Sequence, residues 1–384
     1  MLIVQLKAKK EVPAIHAHPW IYSGAVDKVQ GEPEQEHLCR VLNNKGQFVC
    51  QGTYNPISQL AVRVLTLGKE TIDKAFFEAR IRSALALRRR IIPADTTCYR
   101  LINGEGDRLP GLVVDRYNDI LVLQAITPFM EEIKQDLVDI LKSALPECSI
   151  FERSDSKTRN NEGIRPSTGP LHGNIESQDL VVKEQGIAFA VDIFTGDRTG
   201  FYLEHKETRQ RLMRYAKDKD MLDLFSYTGS FSVCALHAGA KSAISIDSSA
   251  PAQVQLKKNM ELHKIRPFVW RHMRDDVPRF LNDEQGSFDL VVCDAPGFSN
   301  EYEEHGKTVA LSMARLRPGG ILFYLAPVTA QFGYVDLLKA ISRAAQGLSR
   351  TAKVLEPLSQ STDFPSLPSH PQGMHQAGFV VYVE

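Results

Sequence analysis

The sequence predicts an α/β protein. A C-terminal doubly wound parallel sheet is expected, preceded by a small β domain and a central α+β domain. Two observations carry this. From about residue 185, short apolar runs alternate with runs of helical period, the pattern of a parallel sheet with crossover helices. Within that half, the apolar run Met221-Leu-Asp-Leu-Phe225 turns at Ser226 to Gly229 and enters a helical stretch from Phe231. A strand, a tight turn and a helix in that order present backbone N–H groups to a ligand at the edge of a parallel sheet. Domains are expected at 1–70, 71–180 and 181–384.

The elements follow in order. Residues 1–70 hold short strand-like runs, Trp20-Ile-Tyr, His37-Leu-Cys-Arg-Val-Leu, Gln47-Phe-Val-Cys and Leu60-Ala-Val-Arg-Val-Leu, parted by Gly, Pro, Asn and Asp. The period changes at 71–90. Ile72, Phe76, Ala79, Ile81 and Leu85 fit one helical face, and Arg80, Arg82, Arg88, Arg89 and Arg90 add a basic side. Such a side is either solvated or an RNA contact. Leu112–Tyr117 and Ile120–Gln124 read as a hairpin turning at Asn118-Asp119, 131–145 as a helix closed by Pro146, and Ser149–Arg153 as a strand. Residues 155–180, rich in Ser, Asn, Gly and Pro, are expected as a linker or long loop leading toward a strand or hairpin. Beyond it, strands are expected at 221–225, 243–246, 268–272, 288–293, 321–325 and 379–383. Helices are expected at 206–216, 231–237, 251–263, 308–316 and 334–346.

Composition narrows the class. The chain has 384 residues, 43% apolar and 24% charged, enough for two or three cored domains. Its net charge is zero, so a nucleic acid would have to be held by local basic patches. Cys39, Cys50, Cys98, Cys148, Cys234 and Cys293 lie far apart with no Cys-x-x-Cys. That argues against a disulfide framework or a metal site and for a reducing cytoplasm. No apolar run approaches a membrane span, and residues 1–10 lack the apolar core of a signal peptide.

The turn holds one glycine, Gly229, where a dinucleotide binder carries three for its pyrophosphate. This disfavours a nicotinamide dehydrogenase. It suits a nucleoside ligand without phosphates, such as S-adenosylmethionine, with Phe225, Tyr227 and Gly229 of the turn as candidate contacts. The strand at 243–246 ends in Asp247, which can accept hydrogen bonds from both ribose hydroxyls. It is equally placed to cap the helix near Pro251. Asp223 can take a ligand ammonium or cap the loop. After the third strand, Asp275 or Asp276 can accept from the adenine amine, with Asp276 the preferred candidate. Asp294-Ala-Pro296, after the fourth strand, lies where the reactive methyl is expected. The fixed dihedral of Pro296 stiffens that loop for positioning a substrate.

Several segments resemble one family over nearly the whole chain and in order: the rRNA large-subunit methyltransferase I family. They are His18-Pro-Trp-Ile-Tyr-Ser-Gly24, Tyr99-Arg-Leu-Ile-Asn-Gly-Glu-Gly-Asp-Arg-Leu-Pro-Gly111, Glu147-Cys-Ser-Ile-Phe-Glu-Arg-Ser-Asp155, Gly200-Phe-Tyr-Leu-Glu-His-Lys-Glu-Thr-Arg209 and Asp223-Leu-Phe-Ser-Tyr-Thr-Gly229. The resemblance implies a PUA-like RNA-binding domain, a central α+β domain and a Rossmann-like class I methyltransferase domain. It implies S-adenosylmethionine as cofactor, rRNA as partner, a homodimer, and methylation of cytosine carbon 5. The family segment Thr-Gly-x-Tyr-Leu-Asp-x-Arg helps bind the cofactor. Thr199 to Leu203, with Tyr202, and Arg209 keep most of it, while Glu204 replaces the Asp.

The substrate half departs from the pattern. Carbon 5 of cytosine is a poor nucleophile, and its methylation begins with a cysteine thiolate adding to carbon 6. The family places that thiol after the fifth strand, where this chain has Ala326. A second cytosine methyltransferase group carries Cys after Asp-Ala-Pro, where this chain has Gly297. Cys293 precedes Asp294 and is expected to face the other way. Cys234 is expected in the core. Near the C-terminus the family's Asp-His-Pro reads Asp363-Phe-Pro365, and its Pro-Glu-x-x-Tyr-Leu-Lys reads Pro371-Gln-Gly-Met-His-Gln-Ala377. Three outcomes stay open: a methyltransferase for a nitrogen or oxygen acceptor, a cytosine enzyme with a thiol from elsewhere, and an RNA-binding pseudoenzyme that keeps its cofactor pocket.

Overall fold

A computed structural model describes residues 1–175, 180–283 and 286–384. Contacts divide the chain into two units, Met1–Gln178 with Asp363–Gly373, and Asp179–Thr362 with Met374–Glu384.

The first unit holds two sheets. One has six strands in the order Trp20–Ile21, Val62–Thr66, Phe48–Tyr54, Leu38–Leu42, Leu2–Leu6, Val26–Gln30. Leu2, Val4 and Leu6 alternate into its core with Val41, Cys39 and Val62. The sequence reading missed Leu2–Leu6 and Val26–Gln30. The second is an edge strand of mixed polarity (Val-Asp-Lys-Val-Gln), whose solvent-facing charges hide its period.

The other sheet runs Ser167–His172, Ser149–Ser154, Ile120–Ala125, Leu112–Tyr117, Cys98–Asn103. Helices Lys74–Ile91 and Lys134–Ala144 bury Phe77, Ile81, Leu85, Leu137 and Leu141 against its Val114, Leu121, Leu123 and Ile150. The expected loop at 155–180 holds that first strand. Gly169 and Pro170 disguise it, and both are tolerated because the strand is at an edge. Residues 176–179 of the loop lie outside the described residues.

The basic side of Lys74–Ile91 is not uniformly solvated. Arg88 is 1% exposed, forks onto Asp107 at 2.6 and 2.8 Å and donates to the Arg100 and Asp363 carbonyls. Arg80 donates to the Leu65 carbonyl. Arg89 and Arg90 are exposed. The returning segment Asp363–Gly373 is held here too. Asp363 accepts from the Arg100 N–H at 2.7 Å, and the Pro365 carbonyl accepts from Asn103 at 2.9 Å. A Cβ on Gly106 would lie 1.9 Å from that carbonyl, so the approach requires glycine.

A buried ion pair ties the six-stranded sheet to the segment between strands Ser149–Ser154 and Ser167–His172. Arg63 donates to both Glu162 oxygens at 2.7 and 3.1 Å, while Asn55 and Ser58 fill the remaining acceptor sites. Both side chains are under 10% exposed. Arg63→Met removes the cation and leaves a buried carboxylate unpaired, so urea unfolding is expected to show a loss of about 3–5 kcal/mol. A loss below about 1 kcal/mol, the usual worth of a solvated pair, contradicts this assignment.

The second unit is built on a seven-stranded sheet in the order Trp270–Arg274, Ser242–Asp247, Asp220–Leu224, Phe288–Asp294, Leu316–Pro327, Gln376–Val383, Ala352–Leu358. The first five strands are parallel, and Gln376–Val383 runs antiparallel to both neighbours. Its central strands read as continuous apolar runs because both faces are covered. Leu222, Val291, Cys293, Tyr324 and Ala326 pack toward helices Glu301–Ala314 and Tyr334–Gly347. Met221, Leu290, Val292, Phe323 and Leu325 pack toward Lys206–Ala216 and Ser230–His237. This alternation fixes which side chains can reach the carboxyl ends of the strands on each side. The helix Val277–Asp283 and strand Ala352–Leu358 were missed, the latter because exposed charges interrupt its apolar positions. No described helix is long and apolar enough to cross a membrane.

Candidate active site

The carboxyl ends of Asp220–Leu224, Ser242–Asp247 and Phe288–Asp294 open onto a cavity of about 580 Å³ within the second unit. That falls inside the ~300–1,000 Å³ range typical of small-molecule sites.

Its floor is the turn after Asp220–Leu224. Phe225, Tyr227 and Gly229 take left-handed φ values of 57°, 46° and 72°. For the two aromatic residues this costs roughly 1–2 kcal/mol each and needs outside support. Asp247 supplies it. One carboxylate oxygen accepts from the Tyr227 N–H at 2.8 Å and the other from the Ser249 N–H at 2.8 Å. The Tyr227 hydroxyl accepts from the Asp197 N–H at 2.8 Å, closing the turn from the opposite side. Gly229 opens helix Ser230–His237, and a Cβ there would lie 2.7 Å from the Leu256 side chain.

The walls carry an excess of negative charge. Asp197, Glu204, Asp247 and Asp294 line the cavity against one guanidinium, Arg198, which pairs with Glu204 at 3.2 Å. This suits a cationic ligand and opposes a diphosphate. Four buried polar atoms of lining residues, His205 Nδ1, Ser226 Oγ, Thr228 Oγ1 and Gln376 Oε1, have no partner among the described residues. Buried polar atoms are rarely left so, and a cluster at one cavity marks where ligand atoms belong. S-adenosylmethionine fits this set. Bound here, it would bring a sulfonium and an ammonium to the carboxylates, and Asp247, Phe225 and Tyr227 are the residues that could take its ribose and base.

Of the residues expected from sequence, Tyr202, Phe225, Tyr227, Asp247, Asp294 and Pro296 line this cavity. Tyr202 presents its ring between Tyr227 and His205, and burial pushes its hydroxyl pKa well up, keeping it a neutral donor. Gly229 shapes the turn without lining the cavity. Arg209 does not line it either. It is fully buried, clamps Glu184 at 2.6 and 2.7 Å and donates to the Tyr202 carbonyl at 2.9 Å, so it supports the wall from behind. Asp276 sits outside the cavity lining. It caps helix Val277–Asp283 by accepting from the Arg279 N–H at 3.2 Å, and neither it nor Asp275 lines the cavity. The cap of helix Ala250–Leu262 is Ser249, which leaves Asp247 to the turns.

Asp223 lies just behind the wall. Ser232 donates to one of its oxygens through both N–H and Oγ, at 3.1 and 2.7 Å, and the other oxygen has no partner among the described residues. Complete burial raises its pKa to about 7; the Ser232 bonds oppose the rise, and Asp294 and Asp247 add to it. The sign follows. The folded-state pKa lies above the unfolded value, so folding is favoured by this group at low pH. That contribution is lost as pH rises toward 7. Asp223→Asn is therefore expected to be more stable than wild type at pH 8, by about 2–4 kcal/mol on the linkage of ~1.4 kcal/mol per pH unit. The difference should vanish near pH 4. Equal urea midpoints at pH 8 would contradict the assignment.

Sequence reasoning missed His205, which lines the cavity and bonds Asp294 at 2.7 Å. Its signal was its place inside Gly200–Arg209. Neither position where a thiol is expected carries one. Ala326 is fully buried on the face opposite Leu325, and Gly297 lines the cavity with no side chain. None of the six cysteines is in a disulfide, and none is more than 2% exposed or lines the cavity. Burial raises the Cys293 and Cys234 thiols far above their ordinary value. Among the described residues no group of three His, Cys, Asp or Glu could hold a metal ion.

Comparison with known proteins gives the domains and the family. Residues 4–67 match a PUA-like domain, and residues 180–354 match a TRM5/TYW2 methyltransferase domain. A SAM-dependent methyltransferase of Streptococcus mutans superposes with a TM-score of 0.88 over 100% of both chains at 18% identity, which establishes the fold. The chain is 35% identical over 393 residues to ribosomal RNA large subunit methyltransferase I of Vibrio vulnificus, covering 99% of each. It is 37% identical over 379 residues to that of Vibrio cholerae, covering 95% of each. The chain belongs to the ribosomal RNA large subunit methyltransferase I family.

Proposed function

We propose that this chain transfers the methyl group of S-adenosylmethionine to large-subunit rRNA, at a nitrogen or oxygen that carries a proton and not at cytosine carbon 5. The observation that carries the reading is a cavity ringed by carboxylates with no cysteine on it. The cofactor supplies an electrophilic methyl group. A protonated nitrogen or oxygen needs only positioning against that methyl and a place for its proton. Carbon 5 needs a thiolate adduct first. Asp247 holds the sugar, the Phe225–Gly229 turn holds the base and amino-acid portions, and Asp294 faces the acceptor across the rigid Pro296 loop.

RNA as substrate is supported by the names of the relatives and by the PUA-like match. A local basic strip adds to this. Lys264, Arg266, Arg271 and Arg274 are exposed along the edge strand Trp270–Arg274 and the segment before it, beside Phe268, which is 78% exposed with the Arg266 guanidinium 5.9 Å from its ring. Cations flanking an open aromatic ring suit a single strand with unstacked bases. Six buried cysteines outside any disulfide suit a reducing cytoplasm.

The test is labelled methyl transfer from S-adenosylmethionine to naked large-subunit rRNA and to assembled subunits. Wild type and Cys234→Ala/Cys293→Ala are compared, with thermal unfolding as the folding control. Both are expected to transfer. Loss of transfer in a folded double variant would restore a thiol mechanism. Cofactor binding without transfer by wild type would instead leave a non-catalytic RNA binder.

A further inference from the structure

His205 precedes helix Lys206–Ala216, which packs on the sheet face toward which Asp223, Val292 and Asp294 point. That packing brings the imidazole to the end of the Phe288–Asp294 strand. Its Nε2 lies 2.7 Å from Asp294 Oδ2, and the ring is 2% exposed. It stacks on Tyr202 (centroids 5.9 Å apart, planes at 8°) and meets Phe231 at 5.6 Å. Its Nδ1 is buried without a partner among the described residues. Packing alone does not explain a histidine here. A phenylalanine would fill the same aromatic slot and leave no orphaned nitrogen. What the imidazole adds is one hydrogen bond, to the carboxylate that faces the cavity.

We propose that His205 is a positioning residue: its Nε2–H holds Asp294 Oδ2 so that the other oxygen, Oδ1, is aimed at the acceptor N–H or O–H. This rests on the methyl-transfer reading above. In the transfer step the acceptor lone pair forms the new bond to carbon as the methyl–sulfonium bond breaks and its electron pair remains on sulfur. The proton leaving the acceptor passes to Asp294 Oδ1. Without His205 the carboxylate is free to rotate about its terminal torsion, which is broad and roughly two-fold. It would then spend much of its time out of line. The charged and titratable residues that line the cavity with His205 are Asp197, Arg198, Tyr202, Glu204, Tyr227, Asp247, Asp294 and His375, with Asp223 buried behind Asp294 and Asp247. Among the described residues, Asp294 alone is within hydrogen-bond distance of the imidazole.

Two variants separate the bond from the packing. His205→Phe keeps the stack and loses the donor; His205→Gln keeps a donor and loses the stack. In single-turnover transfer to rRNA, His205→Phe is expected to lower the rate at least ten-fold with cofactor affinity within three-fold and no loss of thermal stability. His205→Gln is expected to recover most of that rate. Independently of activity, nitrogen-15 NMR of the imidazole is expected to show an Nε2–H signal that moves on Asp294→Asn. A wild-type rate in His205→Phe, an equal loss in both variants, or imidazole signals unmoved by Asp294→Asn would each overturn the proposal. If wild type methylates neither nitrogen nor oxygen, the parent reading fails, and the NMR measurement still decides whether His205 holds Asp294.

Discussion

Asp294→Asn is expected to lower the single-turnover rate of methyl transfer by about 10²–10⁴-fold, the usual worth of a positioned proton acceptor. The side chain keeps its size, and its remaining oxygen can still accept from His205, so the geometry at 2.7 Å survives. What is lost is a group able to take the proton as the new bond forms. Stability is not expected to fall. Asp294 raises the pKa of buried Asp223, and removing that charge relieves Asp223 at neutral pH. The measurement is quenched-flow transfer of a labelled methyl group with thermal unfolding alongside. A rate within three-fold of wild type would remove Asp294 from the chemistry.

Asp247→Asn is expected to weaken S-adenosylmethionine binding about 100-fold or more. The carboxylate is already committed on one side, with one oxygen on the Tyr227 N–H and the other on the Ser249 N–H. Each oxygen keeps further acceptor capacity for the two ribose hydroxyls. An amide replaces one acceptor with a donor. It leaves a backbone N–H facing an NH₂ and loses one hydroxyl contact outright. A hydrogen bond to a charged group contributes about 1.5–3 kcal/mol, so the lost hydroxyl contact, with the loosened turn, accounts for the factor. The turn also loses its pin, with Phe225 and Tyr227 held in left-handed conformations. Calorimetric titration measures the change. Affinity within three-fold of wild type would show that Asp247 serves the turns alone.

How much of this was legible depended on how local the signal was. The Phe225–Gly229 turn, Asp247 and Asp294 each close an apolar strand, and strand ends of a parallel sheet converge whatever their separation in sequence. Asp276 also follows a strand, but it precedes an unrecognised helix, and the orphan N–H groups of that helix claim it. Arg209 lies one helical turn beyond His205, and that displacement buries it against Glu184. His205 itself meets Asp294 only through helix-on-sheet packing, which no spacing in the chain announces. The edge strands hid their period behind surface charge, and Asp363–Gly373 gave no hint that it joins the first unit.

The central claim is that the carboxylate-ringed cavity methylates a proton-bearing atom of rRNA without a thiol. The most direct measurement is mass spectrometry of nucleosides from large-subunit rRNA treated with this protein and isotopically labelled S-adenosylmethionine. A labelled nucleoside methylated on nitrogen or oxygen is the result expected. Labelled 5-methylcytidine would contradict it.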